Sequence, residues 1–489
     1  MPKLYLLAVG GTGVRVTKSL INLLATGVPA PAGPGGEPWK IVPLVIDPHK
    51  GGSDLLRMSQ QLKRYRVLHE AAVKSGRGAG AAGGAGWFGT ELRTVGELID
   101  TGGGDDPIAH LGSIGNRRFG EYIGIGSLTG VQRAMASALY DERQLGVTMD
   151  IGFVGNPAIG VVALEELNTQ PELRQLADSF AQGDRVFIVS SIFGGTGSAA
   201  FPILVKLLRD GDKLPNAQWL KAAPIGALSV QPYFRVGDGE DDRIRQVEFM
   251  QRTKAALSYY QRTLPGKVQR FYTIGENSEK AIDNDPGEGG QRNPAHLVEL
   301  LGALSVLDFL RRDGDTGGRT EQYQYALKDA TGGGVIFESL ADADRALVER
   351  EMTTFAVYAR YLAEAGEQQL VGSTDLEYLR KVGTGFGRRP DGEKLLRFFA
   401  EWREWLAEMA ASARSFAPFD LKEDYAQMVR GVDPKKGRLW GRRSLDNNDL
   451  LKAINEAQVA DDLTEPLPHL LASVGRGVRE AVEETYAFA

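Results

Sequence analysis

The sequence predicts an α/β protein: a Rossmann-like parallel sheet with a long central helix, followed by a mainly helical C-terminal region. Residues 185–209, RVFIVSSIFGGTGSAAFPILVKLLR, pass from a β-branched apolar run through a glycine turn into the apolar start of a helix near Pro202. Residues 4–9 do the same, running into Gly10-Gly11-Thr12-Gly13 and then a helix with Val16, Leu20, Leu23 and Leu24 on one face. From Ala341 onward, helical spacing dominates and β-branched runs are few.

The turn Phe193-Gly194-Gly195-Thr196-Gly197-Ser198 combines three glycines with two hydroxyls at a helix start. Glycine permits positive φ and close approach of a ligand, and the helix start offers unpaired N–H groups, so the combination suits an anion. The first turn is not a dinucleotide fingerprint, because Gly11-Thr12-Gly13 is followed by Val14-Arg15-Val16 where a small residue is needed. No Lys follows a G-x-x-x-x-G, so there is no Walker loop.

Residues 27–38 read as a Pro/Gly-rich loop, and 41–46 as a second strand ending at Asp47. Asp47 either begins the turn before Pro48 or stands among ligands at the carboxyl end of a parallel strand. Residues 75–86 form a Gly/Ala-rich tract, read as a mobile insertion. Gly112-Ser113-Ile114-Gly115-Asn116-Arg117-Arg118 is a further glycine loop, its arginine pair either solvated or anion-facing. Residues 146–160 contain a strand-like run, with a helix from about Val162. Strands follow at 223–230, ending in Gln231-Pro232-Tyr233-Phe234, and at 270–274, ending in Gly275-Glu276-Asn277.

Residues 294–312 are apolar on nearly every face, as a buried helix requires, with Asn293 as its default N-cap and His296 as a packed core histidine. The acids Asp313, Asp315 and Glu321 follow in a glycine-bearing polar loop, most simply a solvated linker. Helices are expected at 341–362, 393–413, 449–460 and 467–486. The second carries an aromatic stripe of Leu395, Phe398, Phe399, Trp402, Trp405, Leu406 and Met409, suited to a core or to a partner groove.

Residues 3–312 resemble the tubulin and FtsZ superfamily, most closely a divergent bacterial tubulin-like protein. The GGTGS core at 194–198 matches the signature GGGTG[ST]G, with Phe193 and Ala199 in place of the outer glycines. The resemblance implies a guanine-nucleotide site built from Gly10, Gly11, Thr12 and Gly13, from Gly112, Gly115 and Asn116 around the γ-phosphate, and from Gly194, Gly195, Thr196, Gly197 and Ser198. Asp47 would lie near Mg²⁺ and the terminal phosphate. Tyr233 and Phe234 would face the sugar, with Asp238, Glu240, Asp241, Arg243 and Arg245 nearby, and Asn277 with Asn293 the base. It further implies GTP or GDP with Mg²⁺ as cofactors, GTP hydrolysis at the β–γ phosphoanhydride, and head-to-tail filaments in which an acid from one subunit serves the next. The family's N-x-D-x-x-D is missing, which leaves Asp313, Asp315 and Glu321 as the nearest acids. A second reading follows: a catalytically silent nucleotide-binding assembly module whose C-terminal helices recruit a protein partner.

The 489 residues carry a net charge of −6 at a pI near 5.7, which disfavours nucleic acid as a partner. The absence of cysteine excludes disulfides, thiolate metal sites and cysteine nucleophiles, and the five histidines show no metal-ligand spacing. No run approaches the roughly 18 apolar residues of a membrane span, so a cytoplasmic protein with at most indirect membrane association is expected. The expected organisation is a nucleotide-binding domain at 1–293, a linking helix at 294–312 and a helical domain at 313–489.

Overall fold

The computed structural model describes residues 1–49, 52–76, 86–99, 106–109, 111, 114, 117–149, 153, 156–212, 214–236, 246–276, 281–282, 294–328, 334–372, 376–412, 414–436, 444–459 and 463–488. Strands β1 (Lys3–Val9), β2 (Lys40–Ile46), β3 (Glu91–Leu92), β4 (Ile108–Ala109), β5 (Arg185–Ser191), β6 (Ile225–Val230), β8 (Arg270–Ile274) and β10 (Glu321–Gln324) form one sheet. Its order is β10-β8-β6-β5-β1-β2-β3, with β4 also on β2, and every pair is parallel. Two short strands, β7 (Arg235–Val236) and β9 (Ala281–Ile282), pair apart from it. Lys3–Val9 pair with Lys40–Ile46, placing β2 on one side of β1, while β5 takes the other side, so the strand order reverses between β1 and β5.

The strands are apolar on both faces because helices cover both. Leu4, Leu6 and Ala8 share a core with the first helix (Gly10–Ala25), the helix Ser53–Lys74, the central helix and the C-terminal helices. Tyr5, Leu7 and Val9 point the other way, into a core with the helices Pro157–Ala163 and Gly195–Asp210. The helices that follow β1 and β5 therefore leave the sheet on opposite faces. That is the geometry of a crevice between two strands.

The central helix, Leu297–Arg311, is buried from Leu297 to Leu310, as its unbroken apolar sequence requires. Its N-cap is His296, whose Nδ1 accepts the Val298 N–H at 3.1 Å while Glu299 accepts the His296 N–H at 3.1 Å. The cap expected at Asn293 is thus made three residues later, and His296 is a capping residue as well as a packed one. At the other end, the Arg185 guanidinium on β5 donates to the carbonyls of Phe309 (3.0 Å) and Arg312 (2.8 Å), satisfying groups that a helix end leaves unpaired.

Two expectations need correction, and the core reading of the aromatic stripe holds. The boundary at 313 does not separate two cores, because β10 returns to the main sheet beside β8 and the C-terminal helices pack into the same core as β1. The aromatic stripe on the helix Pro390–Ala411 is part of that core: Trp402 and Trp405 are buried, Phe398 meets Tyr65 and Phe88, and the Trp405 indole N–H donates to Ser19 Oγ at 3.1 Å. Among the described residues of 146–160 no strand forms; an isolated antiparallel bridge joins Thr148 to Arg118, and the helix begins at Pro157. A proline at the first helical position explains the earlier start.

Trp405 links the C-terminal layer to the first helix. Trp405→Ala should lower global stability by about 3–5 kcal/mol, with the whole chain still unfolding in one cooperative transition, at lower urea. Retention of a native N-terminal transition beside an unfolded C-terminal part would contradict a shared core.

Candidate functional site

Both glycine turns lie at the carboxyl ends of adjacent strands, on either side of the strand-order reversal. The first helix starts at Gly10 directly after β1, and the second glycine helix starts at Gly195, after Ile192, Phe193 and Gly194 follow the end of β5. Neither helix has a side-chain cap or an acidic residue in its first turn. The leading N–H groups of each helix are therefore unpaired, and each helix presents roughly half a positive charge there.

The two turns touch. Gly10 adopts φ +65°, in the left-handed region, and a Cβ placed on it would sit 3.7 Å from Thr196 Cβ and 3.9 Å from Gly197 N. Two other glycines are required by close packing: a Cβ on Gly13 would lie 2.5 Å from the Ala8 carbonyl carbon, and one on Gly197 would lie 2.6 Å from the Ser191 oxygen. Gly11 is exposed, and a Cβ there meets nothing within 4 Å. The packing glycines bring each helix end against its own strand, and Gly10 and Gly11 leave room above it.

The hydroxyls divide. Thr196 is nearly buried beside Gly10, whereas the Ser198 hydroxyl donates back to the Gly194 carbonyl at 2.5 Å, so it braces the turn instead of facing the crevice. The glycine helix also begins seven residues before the start suggested by Pro202, which lies within it. A proline at that position frees the carbonyl of Ser198, and the Tyr260 hydroxyl donates to that oxygen at 3.0 Å. Nothing in the spacing of Tyr260 announced that role.

Asp47 follows β2, whose Ile46 pairs with Val9, so it stands one strand away from Gly10. Its Oδ1 accepts the His49 N–H at 3.0 Å, closing a turn, and burial pushes its carboxyl up to about 6. The turn and the position at the strand end are both realised in the one residue. A single carboxylate beside the glycine turns fits Mg²⁺, which takes one or two carboxylates and completes its shell with ligand oxygens and water. Among the described residues no cluster of three or more metal-ligating side chains exists.

Gly112, Gly115, Asn116, Asn277 and Asn293 lie outside the described residues, as do Asp238, Glu240, Asp241, Arg243 and Arg245 and most of the 75–86 tract. β4 ends beside the carboxyl end of β2, since Ile108 and Ala109 pair with Val45 and Ile46. Arg117 lies over the Tyr122 ring, 5.6 Å from its centroid, and donates to the Glu121 carbonyl at 3.3 Å.

The acids after the central helix stand elsewhere. Glu321 opens β10 and pairs in register with Arg270, the first residue of β8, at the amino end of the strands. Its carboxylate accepts the Tyr323 hydroxyl at 2.6 Å and bridges to Arg270 at 3.1 Å. Asp313 and Asp315 fold onto the N–H groups of Asp315 and Gly317, and the Asp313 carbonyl accepts from Arg270. The strands rise about 3.3 Å per residue, so these acids lie on the order of 20 Å from the glycine turns of the same chain.

Residues absent from the sequence-based set close the inner wall. Arg15, on the first helix, pairs with Glu299 on the central helix and donates to the Pro294 carbonyl at 2.8 Å. Burial raises the Glu299 carboxyl even so. Gly160 packs onto the first turn of the second glycine helix, where a Cβ would lie 2.9 Å from the Gly195 carbonyl. A lone Arg in an apolar helix was the available signal for the ion pair.

No protein-family model matches the chain, and no curated protein matches it. Among solved structures it is similar to CetZ2 from Haloferax volcanii in a GTPγS-bound protofilament, at 14% identity and a TM-score of 0.30, over 65% of this chain and 60% of that one. A likeness of that extent bears on neither activity nor assembly. Among the described residues, no helix is long and apolar enough to cross a membrane.

The raised Asp47 carboxyl gives a signed expectation. Its burial disfavours the charged form, so the destabilisation is absent below about pH 4 and complete above about pH 6. Asp47→Asn should therefore be more stable than the wild type at pH 7.5, with the two converging at pH 4, in paired thermal melts without ligand. A wild type favoured equally at both pH values would contradict the assignment.

Proposed function

We propose that the crevice between β1 and β5 binds a guanine nucleotide in the manner of the tubulin and FtsZ superfamily. The contact between Gly10 and the Thr196-Gly197 turn carries the reading, because it joins two uncapped helix starts into one anion site. Backbone N–H groups of both turns and the Thr196 hydroxyl would hold the phosphates. Asp47 would hold Mg²⁺, which supplies charge neutralisation on the β- and γ-phosphates. The match of residues 194–198 to the superfamily signature supports a nucleotide over another polyanion.

Hydrolysis needs an activated water, and Asp313, Asp315 and Glu321 are at the wrong end of the sheet to act within one subunit. Head-to-tail stacking would set that end over the crevice of the next subunit, in an open heterologous assembly. A second reading, a catalytically silent assembly module, is favoured by the engagement of all three acids in local hydrogen bonds. Phosphate release that rises faster than linearly with protein concentration supports the first; absence of release at every concentration leaves the second.

Gly11→Asp tests the site itself. The new side chain has room, and a carboxylate in the first turn of a helix is stabilising by about 0.3–1 kcal/mol. It also puts negative charge and bulk into the cradle. Unchanged or slightly higher thermal stability should accompany a loss of at least about tenfold in GTP affinity. Undiminished affinity would remove the first turn from the site.

A further inference from the structure

Between β4 and Met149 the chain makes an excursion whose base is pinned to the second core, the one that holds Tyr5, Leu7 and Val9. The Phe119 N–H donates to the Val147 carbonyl at 2.8 Å, Arg118 and Thr148 form their antiparallel bridge, and Phe119 and Met149 are buried. The outer part carries the helix Gly130–Leu139, none of whose ten residues is buried. The face that this helix turns to the rest of the chain is not its apolar one. Arg133 donates to the carbonyls of Leu128 and Gly126, each at 3.1 Å, Ala136 is half-buried, and Tyr140, just past the helix, meets Phe119 edge-on at 4.8 Å between centroids. At about 100° per residue these three positions share one side of the helix, and Val131, Ala134, Met135, Ala138 and Leu139 fall on the other. Val131, Met135 and Leu139 are accordingly 76%, 61% and 67% exposed.

A surface helix ordinarily turns such a stripe inward. A ten-residue helix without tertiary packing is also marginal in water, so the stripe calls for a cover. Its chemistry narrows the choice. Arg133 is the one charged residue of the helix, and its guanidinium is engaged by the preceding loop. A lipid surface is recognised by cations flanking an apolar face, and a charged partner by opposite charge; the stripe brings neither. An uncharged face meets its own copy with no like-charge cost, and the alanines at 134 and 138 let a second helix approach closely.

We propose that the helix Gly130–Leu139 pairs with the same helix of a second copy of this chain, antiparallel about a two-fold axis at Met135. Val131 of each copy then faces Leu139 of the other, and Met135 meets its own counterpart. The antiparallel arrangement sets the positive end of each helix beside the negative end of the other. Such a contact closes at two copies, unlike the open head-to-tail stacking considered above, and it is independent of nucleotide binding. A face about 15 Å long and 10 Å wide is well below the roughly 800 Å² per partner of a standard stable complex, so the pair is weak and reversible, with a Kd of about 10–100 μM.

Sedimentation velocity of the full chain without nucleotide, from about 1 to 300 μM, reads the pairing. The wild type should pass reversibly from monomer to dimer over that range. Met135→Lys and Met135→Glu are exposed changes that should leave the thermal midpoint unaltered. Each should stay monomeric, because each sets like charges at the axis, and an equimolar mixture of the two should dimerise again. The absence of cysteine permits a second measurement. Facing helices about 8–10 Å apart hold opposed Cα atoms within disulfide reach, so Met135→Cys should cross-link on mild oxidation at least about tenfold faster than Ser137→Cys, on the far side of the helix. A wild type that remains monomeric throughout, a dimer indifferent to charge at 135, a charge-paired mixture that stays monomeric, or equal cross-linking at 135 and 137 overturns the pairing. A monomeric wild type that cosediments with phosphatidylglycerol vesicles, in an interaction lost in Met135→Glu, gives the face to lipid and overturns it as well.

Discussion

Two sets of unpaired backbone N–H groups, at the starts of the Gly10 and Gly195 helices, are brought against one another where the strand order reverses. Two positive helix ends in contact repel, and neither has a carboxylate in its first turn to offset the other. An anion between them relieves that repulsion and satisfies the N–H groups together. In the reading proposed above, those helix ends supply the positive charge that a phosphate-loop lysine would otherwise bring, in a chain of net charge −6. The glycines follow from the same demand: Gly10 for its left-handed turn, Gly13 and Gly197 to let each helix end close on its strand.

The crevice is kept in place by the central helix and its fastenings. Arg15 and Glu299 join the first helix to the central helix one turn from the site, and Arg185 grips the far end of the same helix from β5. The strands that carry both glycine turns are thus tied to one rigid rod. The C-terminal helices pack onto the first helix, since Trp405 reaches Ser19 and the stripe from Leu395 to Met409 lies in the shared core. Burying each such large apolar side chain contributes roughly 1.5–3 kcal/mol, which makes the C-terminal layer a structural part of the site's support.

Much of this was legible in local sequence. β1, β2, β5 and β8 were visible as apolar β-branched runs, and both glycine turns as breaks between a strand and a helix, because backbone conformation there is set by neighbouring residues. Long-range consequences were not. That Gly10 meets Thr196 depends on β1 and β5 being adjacent, which no spacing reveals. The stripe on the helix Pro390–Ala411 reads identically whether it meets a partner or its own first helix. His296 displaced Asn293 as the cap because the helix began only at Leu297, and Ser198 turned to its own carbonyl in competition with the crevice. The acids at 313, 315 and 321 were legible as acids. Their distance from the site came from β10 joining a parallel sheet at its far edge.

The most direct measurement is a co-crystal structure with Mg²⁺ and a non-hydrolysable guanosine triphosphate analogue. The account predicts phosphate oxygens within hydrogen-bond distance of backbone N–H groups from both Gly10–Gly13 and Gly194–Gly197, with Asp47 on the metal side. Phosphates held by only one of the two turns, or a nucleotide bound elsewhere on the molecule, would contradict it.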